Sequence, residues 1–328
     1  MAERAPLYSD LADGPEPGRA LWMRATDGVR LRVGLWWPED AAATVLLFPG
    51  RTEYIEKYGR TAHDLARHRL ATLVIDWRGQ GLSDRLTADP MLGHVHRFTD
   101  YQRDVAAMLT TARALNLPRP WFLLAHSMGG CIGLRAAIDG LPVAACAFTG
   151  PMWGIRMARG LSPLARALAW GAVRLRLGQR YAPGTKGEHY VLSEPFETNE
   201  LTGDAAMYHY MAGQLRAHPE LGIGGPSFRW LHEALKEMRA LARRPAPDMP
   251  CLTLVGSLES IVDMRPIEAR MRHWPGGRLK TIPGGRHEVL MEDAATRARV
   301  LDLICDVYRK AGRNAARGPQ PDTAASPG

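Results

Sequence analysis

The stretch Trp121-Phe122-Leu123-Leu124-Ala125-His126-Ser127-Met128-Gly129-Gly130 decides how this chain is read. Its apolar run suits a buried strand, and the small residues after Ser127 open a helix, so strand passes into helix through a turn with the serine at its tip. Such a turn strains the serine backbone and brings strand and helix nearly into contact, which demands small side chains two positions before and after it. Ala125 and Gly129 meet that demand, with one methyl group more at Ala125 than the usual glycine. Ser127 is the candidate nucleophile.

On both sides of this turn, strand-like and helical segments alternate. Val29 to Trp37 alternates apolar and polar residues after the Asp27-Gly28 turn, while Thr44 to Phe48 and Ala71 to Asp76 are apolar runs suited to strands covered on both faces. Helical spacing marks Ile55 to His68, Phe98 to Leu115 and Met128 to about Asp139, and Val143 to Thr149 supplies the next strand. The pattern predicts an α/β protein with a doubly wound, mostly parallel sheet. It stops at Gly150-Pro151, beyond which the chain is helical, arginine-rich and broken by prolines. Residues 151–247 are therefore expected to form a helical cap inserted into one core, built from residues 1–150 and 248–310. Strands resume at Pro250 to Val255 and Arg278 to Ile282, a last helix covers about Ala294 to Lys310, and residues 311–328 are expected to be a disordered tail.

Composition narrows the function classes. The 328 residues carry a net charge of +8, and 5 of the 42 basic residues are lysine, leaving 37 arginines. The basic residues are spread along the chain without interleaved aromatic stacking motifs, which ranks nucleic acid last and leaves two readings of the charge, a compositional bias toward arginine and attraction to an anionic lipid surface. Neither a secretory signal nor an apolar run of spanning length is visible, so the expected location is cytoplasmic, with peripheral contact at the inner membrane. Cys131, Cys146, Cys251 and Cys305 lack the spacing of a zinc site or a disulfide framework and read as reduced core residues. No metal or cofactor is expected, because His, Cys and carboxylate residues cluster at no familiar ligand spacing.

A serine hydroxyl needs a base, a group that orients the base, and donors for the oxyanion. His287, on the glycine-rich loop after the last predicted strand, is the candidate base. The loop after Cys251 to Val255 offers Glu259 and Asp263 as candidate acids. Glu259 is preferred because it lies nearer the strand end, and Asp263 has the alternative role of capping the next helix. The backbone N–H of Met128 and, across the turn allowed by Gly50, that of Arg51 are the expected oxyanion donors.

Several motifs then carry a family resemblance: Phe48-Pro49-Gly50-Arg51-Thr52-Glu53, Asp76-Trp77-Arg78-Gly79-Gln80-Gly81-Leu82-Ser83, the run from Ala88 to Phe98, the serine turn, Gly224-Gly225-Pro226-Ser227-Phe228-Arg229-Trp230 and the histidine loop. The chain resembles the monoacylglycerol-lipase and lysophospholipase branch of the α/β-hydrolases, within the serine aminopeptidase S33-like hydrolases, and most closely the bacterial lysophospholipases. The likeness spans roughly residues 20 to 310. It implies an α/β-hydrolase fold and a serine esterase acting on a single-acyl-chain lipid, a lysophospholipid or monoacylglycerol. The alternatives are a proline-releasing aminopeptidase, a general carboxylesterase, an acyltransferase and a non-catalytic binder. Two departures stand out: Pro49 replaces a histidine common in the wider branch, and Glu259 stands where aspartate is common. Phe228, Trp230, Met207 and Met211, with the apolar stretch Leu161 to Val173, are expected to line an acyl slot.

Overall fold

The computed structural model describes residues 3–157 and 161–317. Nine strands form one sheet: β1 (Arg4–Ala5), β2 (Gly18–Arg24), β3 (Arg30–Trp36), β4 (Ala43–Phe48), β5 (Leu70–Asp76), β6 (Trp121–His126), β7 (Cys146–Thr149), β8 (Cys251–Gly256) and β9 (Gly277–Ile282). Their spatial order is β1-β2-β3-β5-β4-β6-β7-β8-β9, antiparallel from β1 to the β3/β5 pair and parallel from there on. The helices are α1 (Ser9–Ala12), α2 (Gly59–Ala66), α3 (Tyr101–Ala114), α4 (Ser127–Ile138), α5 (Leu161–Arg174), α6 (Tyr190–Ser193), α7 (Ala205–Ala217), α8 (Phe228–Ala242), α9 (Met264–Arg272) and α10 (Ala294–Arg317). This is the α/β-hydrolase architecture.

The central strands are apolar on both faces because both are covered. Leu46 and Phe48 of β4 and Leu123 and Ala125 of β6 pack into one layer with α3, α4, α8 and α9. Val45, Leu47, Phe122 and Leu124 point the other way, toward α2, α7 and α10. All four cysteines are buried and free. From β4 the sheet grows in one direction to β5 and in the other to β6, so the winding reverses between β4 and β6. Loops leaving their carboxyl ends diverge there, opening the crevice where such sheets bind ligands.

Between β7 and β8 the described residues hold α5 to α8 and no strand. Two of these helices are not an outlying body. Trp230, Ala234 and Met238 of α8 belong to the first core layer, and Met207, Met211 and Leu215 of α7 to the second. The last helix corrects the expected boundary at Lys310, since α10 continues to Arg317. Its buried face of Val300, Leu301, Ile304, Tyr308 and Ala311 keeps the chain docked past that point, and alanine and arginine extend a docked helix readily. The rest of the expected tail, residues 318–328, lies outside the described residues.

Candidate active site

β6 ends at His126, and the chain turns into α4 with Ser127 at φ 49, a left-handed conformation that is strained for a side-chain-bearing residue. Crowding explains Gly129, where a Cβ atom would stand 2.1 Å from the Phe48 carbonyl oxygen and 2.5 Å from that of Pro49. The small residue after the serine is thus required by the end of β4, the neighbouring strand at the winding reversal.

His287, on the loop after β9, places Nε2 2.9 Å from Ser127 Oγ and Nδ1 2.7 Å from Glu259 Oε2. Gly150, at φ 47, leaves room for the ring, since a Cβ there would lie 3.0 Å from His287 Nδ1. The second Glu259 oxygen accepts the N–H groups of Ile261 at 2.7 Å and Val262 at 3.0 Å. Burial acts to raise the Glu259 carboxyl, but the hydrogen bond and charge of His287 and these two amides outweigh it and hold the group below its ordinary value. Asp263 is turned elsewhere. It caps α9 through the Arg265 N–H at 3.1 Å and pairs with the Arg265 guanidinium at 2.7 Å, so Glu259 is the carboxylate brought to the imidazole.

The loop after β4 is tied down on several sides. Trp77 Nε1 donates to the Pro49 carbonyl at 2.9 Å, Gln80 Nε2 to the Gly50 carbonyl at 3.0 Å, and the Thr52 N–H to Gln80 Oε1 at 3.0 Å. The Gly50 N–H donates to the Glu53 carboxylate. Trp77 and Gln80, noticed in the sequence as part of a motif, are the posts that hold this loop. Among the described residues, no acceptor takes the backbone N–H of Arg51 or of Met128.

Beneath the loop lies a group of buried ionisable residues that the sequence reading missed. Lys57 Nζ is 2.7 Å from Glu53 Oε1 and 2.8 Å from Glu288 Oε2, and Tyr58 donates its hydroxyl to Glu53 at 2.5 Å. His126 Nδ1 meets the Thr149 carbonyl at 2.9 Å, and its Nε2 stands 3.6 Å from Glu53. Burial drives the His126 imidazole down to about 4, so it is neutral at pH 7. Glu53 is held at about 2 because the charges of Lys57 and His126 and the bonds from Lys57 and Tyr58 overcome its burial. Burial pushes Glu288 up despite Lys57. Glu53, His126 and Glu288 approach one another closely enough to suggest metal ligands, but the Lys57 ammonium already contacts both carboxylates as their cation. The one sequence signal was the Glu53/Lys57 spacing of four.

The expected acyl-slot residues divide. Trp230 is buried beside the loop after β4, its ring 5.6 Å from the Arg51 guanidinium carbon and edge-on to Phe98. Phe228 is half-buried at the start of α8. Met207 and Met211 are corrections: they are core residues of α7, and Met207 sulfur is approached by the guanidinium groups of Arg60 at 3.1 Å and Arg297 at 3.7 Å. In the stretch Leu161 to Val173 the side chains of 161–165 lie outside the described residues, and the remainder is corrected. Its small residues Ala169 and Ala172 are buried while Leu168 and Trp170 face solvent, because α5 packs against α8 through its narrow side.

A serine on a strained turn, hydrogen-bonded to a histidine that is held by a buried carboxylate, on this sheet, defines a serine ester hydrolase of the α/β-hydrolase fold. The chain belongs to the Hydrolase_4 family, described as serine aminopeptidase, S33, whose pattern matches residues 39–294. Lysophospholipase L2 of Escherichia coli K12 is 36% identical over 278 residues, covering 81% of this chain and 80% of that protein. The probable lysophospholipase L2 of Haemophilus influenzae is 31% identical, covering 81% and 84%. Among solved structures, a soluble variant of the Saccharomyces cerevisiae monoglyceride lipase with a substrate analogue superposes with a TM-score of 0.69 at 20% identity, covering 88% and 94%. That last likeness is one of fold. No helix among the described residues is long and apolar enough to cross a membrane.

Proposed function

We propose that this protein hydrolyses the ester of a single-acyl-chain lipid, a lysophospholipid or a monoacylglycerol, through an acyl-enzyme on Ser127. The observation that carries the proposal is the continuous hydrogen-bonded line from Ser127 through His287 to Glu259. His287 Nε2 takes the serine proton as Oγ attacks the ester carbonyl, then returns it to the departing alcohol. Glu259 accepts from Nδ1–H, fixing the tautomer and stabilising the imidazolium that forms. The Arg51 and Met128 N–H groups, without an acceptor among the described residues, receive the developing oxyanion. Water then enters by the same base-assisted route and releases the fatty acid.

The names of the relatives supply the lipid substrate, and the half-buried Ser127 is reachable by an ester group. Residues 151–247 serve as the cap that shapes the entrance, with Trp230 beside the loop after β4 and Phe228 at the start of the same helix. The protein docks on an anionic lipid surface through the outer face of α5 and the turn after it. Trp170 is 54% exposed and Leu175 73%, and Arg174 and Arg176 are exposed beside them, a combination of apolar and basic groups that suits a negatively charged interface.

The test is fatty-acid release from a lysophospholipid, a monoacylglycerol and a diacyl phospholipid, set against release of proline from a peptide amine end. The expected order places the single-chain lipids first. Faster cleavage of the peptide or the diacyl lipid overturns the proposal.

A further inference from the structure

We propose that the Arg51 guanidinium is a subsite for the phosphate of a lysophospholipid head group and makes the enzyme prefer a phosphate-bearing single-chain lipid over a neutral monoacylglycerol. This rests on the ester-hydrolysis reading above and names its substrate more narrowly. The Arg51 side chain leaves the loop after β4, donates from Nη1 to the Gly224 carbonyl at 2.9 Å, and lies over the Trp230 ring. No carboxylate among the described residues pairs with it. Arg32 and Arg78 differ, for Arg32 meets Asp76 at 2.7 Å and Glu56 at 2.8 Å and Arg78 meets Asp27 and Asp104, each at 2.7 Å, whereas Arg85 and Arg270 donate only to backbone carbonyls, as Arg51 does.

A guanidinium carries five N–H donors, and one carbonyl and one aromatic face leave most of that capacity unused. Burial pushes Arg51 down to about 10, with only the Tyr101 phenol acting in the opposite sense, so its charge lacks an anionic partner. Its remaining N–H groups are not sealed from solvent, so an anion can reach them and complete the charge.

Reach fits the same assignment. The Arg51 backbone N–H is the proposed oxyanion donor, and an extended arginine side chain sets its guanidinium about 6–7 Å from its own Cα. In a 1-acyl lysophospholipid the phosphorus follows the ester carbonyl carbon by six bonds, about 7 Å when extended and so within reach of the guanidinium N–H groups. One residue therefore reads both ends of the glycerol unit, the carbonyl by its backbone and the phosphate by its side chain, through charge-assisted hydrogen bonds. A 1-monoacylglycerol offers only a hydroxyl where that phosphate stands.

The bland alternative is a clasp on Gly224, like the bond from Arg85 to the Glu220 carbonyl at 2.9 Å. The experiment compares kcat/KM of wild type, Arg51→Lys and Arg51→Gln on 1-palmitoyl lysophosphatidylglycerol and on monopalmitoylglycerol in the same neutral mixed micelles. The expected result is a fall in the ratio of the two by about 10- to 100-fold in Arg51→Gln, the range of a charge-assisted hydrogen bond, with Arg51→Lys between. An unchanged ratio, with both substrates slowed alike, identifies the clasp and overturns the proposal. A readout without turnover separates this from failure of the hydrolysis reading: Ser127→Ala protein should bind the lysophosphatidylglycerol at least tenfold more weakly once Arg51→Gln is added. Inorganic phosphate and sn-glycerol 3-phosphate are tested as inhibitors of a short-chain ester. Strong inhibition by inorganic phosphate that depends on Arg51, with lipid preference unaltered, assigns the site to free phosphate and overturns the head-group role.

Discussion

The floor beneath Ser127 and the outer face of α5 are built by opposite rules. In the floor, Glu53, Lys57 and Glu288 are buried charged groups, and the ammonium contacts both carboxylates within 2.8 Å. On α5, Ala169 and Ala172 turn inward while Leu168 and Trp170 stand in solvent. Buried charge persists where several elements converge to fix its partners, as the loops after β4, β6 and β9 do at the winding reversal. The result is a rigid polar base under the reacting groups. A single peripheral helix has no such convergence, and its apolar surface is left for the lipid phase proposed above.

The largest expected effect belongs to the polar side of this comparison. Ser127→Ala and His287→Ala should each lower kcat on a short-chain nitrophenyl ester by about 10⁴- to 10⁶-fold, and the double variant should lose no more, because the residues act as a unit. Glu259→Gln should cost about 10⁴-fold by upsetting the tautomer. Asp263→Asn retains a capping side chain and should turn over near the wild-type rate. Retention of a tenth of wild-type turnover by Ser127→Ala, or greater damage from Asp263→Asn than from Glu259→Gln, breaks the assignment.

How far the sequence reveals these two regions follows from what local pattern encodes. The strand before Ser127, the alternation of strands and helices, and the chain order of Ser127, Glu259 and His287 are legible because each depends on neighbours in sequence or on strand ends. β2 escaped, since its apolar residues gain meaning only when paired with β3. Arg32, a polar position of the alternating strand Val29 to Trp37, is fully buried between Asp76 and Glu56, which lie 44 and 24 residues away and so give no local sign of it. Met207 and Met211 had the composition of a lipid slot and the location of a core. Side-chain type alone does not distinguish apolar residues that bind from those that pack. The outward turn of Trp170 was equally hidden, because α5 is apolar on more than one side and only the approach of α8 selects the face that is buried.

Lys57→Met sharpens the comparison from within the floor. It leaves two carboxylates buried without their cation, which should destabilise the fold by about 3–5 kcal/mol, read as a shift in the urea midpoint. The acid side gives the sign. Glu53, held at about 2 against an ordinary 4.5, contributes stability that is complete above pH 4.5 and fades as pH falls toward 2. Subtracting the Glu53→Gln stability curve from that of wild type isolates this contribution from Glu288, whose raised pKa acts with the opposite sign. A difference that does not diminish on acidification through this window contradicts the pairing.

The smallest effect on the folded protein is expected at α5, where the paired change Trp170→Ser and Leu175→Ser removes side chains already in solvent. Stability should move by no more than about 0.5 kcal/mol at each site, and turnover of a soluble nitrophenyl ester should be unchanged. At a lipid surface the same groups leave water, and full burial of an apolar side chain is worth about 1.5–3 kcal/mol, so partial insertion of two should change vesicle binding on the order of tenfold. Arg174 and Arg176 add roughly 1 kcal/mol each near an anionic leaflet, an attraction that salt screens over about 8–10 Å. Co-sedimentation with phosphatidylglycerol vesicles should therefore weaken in the double variant and, for wild type, weaken again as salt is raised or phosphatidylcholine replaces the anionic lipid. Equal sedimentation of wild type and variant at low salt would mean that the exposed face of α5 is not the contact, and the contrast between a closed polar floor and an open apolar flank would lose its functional half.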